Sequence, residues 1–113
     1  MAIPQLQPIQ PWRLKRTPIS NASYTILTTD VYVAQTGTMS LARTWTLPTA
    51  AAYGVGCVLT VADENGSVTS TNTLTIARAS TDTISGATSL VLNSAFAKAV
   101  LVSDGVSKWT RLV

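Results

Sequence analysis

Five carboxylates and a single thiol, with no histidine, are what this chain of 113 residues offers for acid–base or nucleophilic chemistry. The acids are Asp30, Asp63, Glu64, Asp82 and Asp104, and the thiol is Cys57. Without an imidazole there is no Ser-His-Asp or Cys-His relay and no histidine metal ligand. Two acids at a set separation suffice for glycoside hydrolysis, but that reaction also needs a sugar-sized cleft, which a small domain of short strands rarely builds. No glycine-rich phosphate loop follows a strand. Asp104 precedes Gly105 and reads as a turn residue whose side chain holds nearby backbone. Asp63 and Glu64 lead into Asn65-Gly66 and read as solvated. Cys57 opens the apolar run Cys57-Val58-Leu59-Thr60-Val61 and reads as a small core residue; standing alone, it forms no intrachain disulfide. The expectation is a protein without catalytic residues, cofactor or metal.

If chemistry is not the task, the elements must say what is. Four of the five prolines fall at positions 4, 8, 11 and 18, whereas all six glycines come after residue 36. Proline fixes φ, lacks a donor and pushes its predecessor towards extended geometry, so residues 1–22 form neither a helix nor a central strand. Yet Ile3, Leu6, Ile9, Trp12 and Leu14 are too apolar for a solvated linker. The segment reads as an extended arm that lies on a partner, with Ile3, Leu6, Ile9, Trp12, Arg13, Leu14, Lys15 and Arg16 as its contact residues. Trp12 is the best single anchor: burying an indole removes about 200 Å² from water, worth up to about 5 kcal/mol before ordering costs.

Residues 23–113 carry a different pattern, short runs of Thr, Val, Leu and Ser with period two. Expected strands are Tyr24–Thr28, Val31–Gln35, Arg43–Leu47, Cys57–Ala62, Thr73–Ala77, Ser89–Asn93, Lys98–Val102 and Ser107–Leu112. Tyr24 and Tyr32 would flank a first hairpin. Asn65-Gly66 is a strong hairpin signal, and Asp104-Gly105 turns the chain between the last two strands. Thr49–Gly54 supports one helical turn. Eight or nine strands at this spacing indicate an all-β fold, a small antiparallel sandwich or barrel-like domain. Trp45 and Trp109 sit at alternating strand positions and read as core.

Charge narrows the partner. The net charge is +3, from eight basic and five acidic residues. Arg13, Lys15 and Arg16 supply the excess, because the other five basic residues cancel the five acids. That is too little for a nucleic-acid footprint and points instead to an acidic protein surface. Only 12% of residues are charged while 46% are hydrophobic, so much of the surface is expected to be covered by other subunits. No apolar run approaches the roughly 20 residues of a membrane helix, and the first residues lack the apolar stretch of a secretion signal.

Thr28-Thr29-Asp30-Val31-Tyr32-Val33, Arg43-Thr44-Trp45-Thr46-Leu47-Pro48 and Val61-Ala62-Asp63-Glu64-Asn65-Gly66 occur in order. They are followed by Asn72-Thr73-Leu74-Thr75-Ile76, Asp82-Thr83-Ile84-Ser85-Gly86-Ala87, Leu101-Val102-Ser103-Asp104-Gly105 and Lys108-Trp109. This ordered set, covering roughly Tyr24 to Arg111, resembles a small β-rich domain of tailed-bacteriophage virion proteins. The resemblance implies a trimeric structural role in head decorations, fibres or tail spikes, without catalysis. Fibres and spikes embed such a domain in much longer chains, which favours a capsid cement or decoration protein on the phage head. Its expected partner is the major capsid protein or another virion protein, gripped by the arm of each subunit of a homotrimer. About twenty extended residues reach some 60–70 Å. The alternatives are a receptor- or carbohydrate-binding module of a fibre or tail tip, supported if Trp45 or Trp109 is exposed, and a neck or tail adaptor.

Overall fold

In a computed structural model, the structure describes residues 13–113. Ten strands and one helical turn follow in chain order: β1 (Arg16–Ile19), β2 (Tyr24–Thr25), β3 (Tyr32–Gln35), β4 (Arg43–Thr46), α1 (Ala50–Tyr53), β5 (Val58–Asp63), β6 (Leu74–Ala77), β7 (Thr83–Ile84), β8 (Ser89–Leu92), β9 (Lys98–Ser103) and β10 (Lys108–Arg111). They form a six-stranded sheet A, ordered β1-β3-β5-β9-β10-β7, and a four-stranded sheet B, ordered β2-β4-β6-β8. The all-β character is as expected.

The antiparallel expectation is not met. The pairs β1·β3, β3·β5, β2·β4, β4·β6 and β7·β10 are parallel, and only β5·β9, β9·β10 and β6·β8 are antiparallel. Strands β1 to β6 alternate between the sheets, so each strand joins its parallel neighbour after a passage through the opposite sheet. Parallel pairing needs a long crossover, and here a strand of the other sheet serves in place of a helix. Tyr24 and Tyr32 therefore belong to different sheets and flank no hairpin.

Asn65-Gly66 likewise links β5 of sheet A to β6 of sheet B. The physical reason is Asp63, which is buried rather than solvated. Its carboxylate accepts the backbone N–H groups of Gly66 (3.1 Å), Val68 (3.0 Å) and Phe96 (3.1 Å), bending the chain out of the ladder before a hairpin can close. Gly66 takes φ 82° there. The Asp104-Gly105 turn does close the β9–β10 hairpin, and Asp104 Oδ1 accepts from the N–H groups of Val106, Ser107 and Lys108.

Alternation fills the core between the sheets. Leu59 and Val61 of β5, Ala99 and Leu101 of β9 and Trp109 of β10 face Trp45 of β4, Leu74 and Ile76 of β6 and Leu92 of β8. Both tryptophans are fully buried. The Trp45 indole N–H donates to the Ala22 carbonyl at 3.0 Å, while Trp109 Nε1 is buried without a partner among the described residues. Thr49 caps α1, its hydroxyl accepting the Ala52 N–H. Cys57 is exposed, contrary to its reading as core. The inward rhythm of β5 starts at Leu59, which leaves Cys57 outside the strand at its open end.

Strand β1 enlarges the folded unit at the expense of the arm. It pairs with β3 in the register Arg16↔Tyr32 to Ile19↔Gln35. The Ile19 carbonyl accepts the Thr36 N–H, so alternation turns the backbone groups of Pro18 towards the open edge. A proline there breaks no ladder bond and blunts the edge against further pairing.

Candidate docking site

Two carboxylates hold β1, the first strand of the described residues. Asp30 is buried and accepts hydrogen bonds from the Tyr24 hydroxyl at 2.6 Å, the Thr17 hydroxyl at 2.7 Å and the Leu27 N–H at 2.8 Å. Lys15 Nζ lies 3.5 Å from the same carboxylate. Burial pushes the Asp30 pKa up, but the bonds from Tyr24, Leu27 and Thr17, with the Lys15 charge, outweigh it and hold the group below the usual carboxylate range. Glu64, on the surface, receives two hydrogen bonds from the Arg16 guanidinium and one from the Tyr32 hydroxyl. Arg16 first and Tyr32 second lower its pKa to about 2. Burial, with the hydrogen bonds to these carboxylates, raises Tyr24 and Tyr32 to about 12.

Of the expected contact residues, Ile3, Leu6, Ile9 and Trp12 lie outside the described residues. Arg13 and Leu14 are exposed just before β1. Lys15 and Arg16, expected to face a partner, instead turn their charges onto Asp30 and Glu64 of their own chain. In the described structure they tie the start of β1 to the residues around β3 and β5. Sequence reasoning missed Thr17, Tyr24, Asp30, Tyr32 and Glu64 as a set, because the strands that carry them pair across long separations. The local hint was Asp30, three residues after the Leu27 N–H that it accepts, a spacing at which aspartate closes a turn.

The other acids accept hydrogen bonds from backbone N–H groups. Asp63 organises the loops already described, and Asp82 is buried with Oδ2 accepting the Ala50 N–H at 2.8 Å. No group of three metal-ligating side chains occurs among the described residues, and no helix among them is long and apolar enough to cross a membrane. On sheet B a shallow depression of about 320 Å³ is lined by Ser23, Tyr24, Thr25, Thr44 and Thr46. It presents hydroxyls and no carboxylate. No protein-family model matches the chain, and a search of curated proteins finds no match to its sequence.

Proposed function

We propose that the chain is a bacteriophage virion structural protein without catalytic activity, a capsid cement that clamps neighbouring subunits of the head through its N-terminal arm. The observation that carries this reading is the junction at β1. An apolar, proline-spaced segment runs straight into an edge strand whose root is held by Asp30 and Glu64. A tether fixed in direction loses less freedom on docking, and several arms joined in a homotrimer gain avidity from individually weak contacts. The ordered resemblance to phage virion domains supports the same reading, with the major capsid protein as partner. The receptor- or sugar-binding alternative is weakened because Trp45 and Trp109 are both buried and offer no aromatic platform.

A cryo-EM map of the assembled particle tests this. The expected density is a β-domain on the outside of the head with residues 2–12 laid between capsid subunits. Density at a tail tip instead would favour the fibre reading.

A further inference from the structure

The outer face of sheet A carries a stripe of apolar side chains that no other described residue covers completely. Val58 of β5 lies opposite Val102 of β9, and both point away from the core because Leu59 and Leu101, their neighbours in sequence, point into it. The stripe continues through Val100 to Leu112, whose N–H donates to the Val100 carbonyl at 2.7 Å. At the other end the β9–β10 hairpin packs onto the loop after α1. A Cβ on Gly105 would lie 2.8 Å from Val55 Cβ, so the next residue, Val106, reaches the surface at the same end as Val55. Val55 is 78% and Val106 71% exposed. Val55, Val58, Val106 and Leu112 are exposed, while Val100 and Val102 are half-buried between them, and apolar side chains gathered on one face commonly mark a contact surface.

Charge at the margin indicates what covers it. Asp104 and Lys108 are both exposed on the hairpin that carries Val106. Asp104 Oδ1 is occupied by three backbone N–H groups, which hold the tip rigid, while Oδ2 accepts no hydrogen bond among the described residues. Lys108 forms no ion pair among them. One margin therefore carries an acid and a base, near enough that the Lys108 charge acts on Asp104, beside an apolar centre, a pattern complementary to itself under symmetry. A uniformly acidic partner would meet Lys108 but be repelled by Asp104.

We propose that this face, centred on Val55, Val58, Val102 and Val106, is the contact between copies of this chain. The proposal rests on the reading of the protein as a homo-oligomer but not on what its arm grips. Exposed Cys57, adjoining Val58 and 3.3 Å from a Cβ built on Gly54, serves as a reporter at the rim.

The test is sedimentation velocity of the full-length protein at micromolar concentration, with Val55→Glu, Val106→Glu and, as control, Val91→Glu. Val91 is 47% exposed on the outer face of sheet B, so it asks whether any added charge on an apolar surface disperses the assembly. All three positions are exposed, and circular dichroism checks that each variant is folded. Wild type and Val91→Glu should sediment as one oligomer, while Val55→Glu and Val106→Glu shift to monomer. Maleimide labelling of Cys57 should be about tenfold or more faster in Val106→Glu than in the assembled wild type, because association shields the thiol. A monomeric wild type, or Val55→Glu and Val106→Glu proteins of wild-type size, would overturn the proposal. Failure of every protein, wild type included, to bind phage heads would contradict the proposed function and leave this contact standing.

Discussion

Asp30 is the side chain on which the attachment of β1 depends. Its carboxylate accepts from Thr17, Tyr24 and Leu27 within a buried site, so Asp30→Ala strands three donors at once. The expected cost is about 2–4 kcal/mol, read as a lower urea midpoint, whereas Thr17→Val removes a single bond and should cost about 1 kcal/mol. Acid should act on the same residues. Asp30 and Glu64 both titrate below their ordinary values in the native state, so the unfolded chain binds more protons than the folded one across that range. The stability they confer is complete above their unfolded values near pH 4. It is lost as pH falls towards the native value of Glu64 at about 2. A Tm series from pH 6 to pH 2 should fall at its acid end, and Glu64→Gln should flatten that fall. A Glu64→Gln profile identical to wild type would show that the pair with Arg16 is screened to nothing.

At the scale of the element, β1 marks where the described fold meets the segment proposed to dock. Deleting residues 2–12 should leave the urea midpoint unchanged, because among the described residues the first strand begins at Arg16. Deleting residues 2–19 removes β1, leaves β3 paired only with β5 and strips Asp30 of Thr17 and Lys15, at a cost of at least about 2 kcal/mol. Hydrogen exchange along Tyr32–Gln35 should rise in the second protein only. This boundary was hard to read in the sequence, where Pro18 argues against a strand. It is tolerated because β1 is an edge and Pro18 faces outward. Strands with clean alternation, such as Leu74–Ala77 and Lys98–Ser103, were legible within a residue or so, and the burial of Trp45 and Trp109 followed from the same rhythm. The two-residue strand β7 was not, since Thr83-Ile84 is too short to show a period. Cys57 was misplaced for a related reason: an apolar neighbourhood marks a strand but not the residue at which its inward phase begins.

For the whole molecule, the winding between two sheets was the least legible feature. Period two says that a segment is a strand and which residues face inward, but nothing about which strand lies beside it. The hairpin signal at Asn65-Gly66 misled because Asp63, through bonds to Gly66, Val68 and Phe96, redirects the chain. The docking site was legible only in part. The arm that composition suggests lies outside the described residues, while the clamp on β1 required the long-range pairing that brings residue 16 to residue 64. The described residues form a two-sheet β-domain, and the proposed function is that the apolar residues before it grip the capsid. Co-sedimentation with undecorated phage heads tests it most directly, using full-length protein, a variant lacking residues 2–12 and Trp12→Ala. Full-length protein should saturate the heads, the deletion should remain in the supernatant, and Trp12→Ala should bind with a loss of about 2 kcal/mol or more if the indole fills a pocket. Equal occupancy by all three would contradict the account and assign attachment to the β-domain alone.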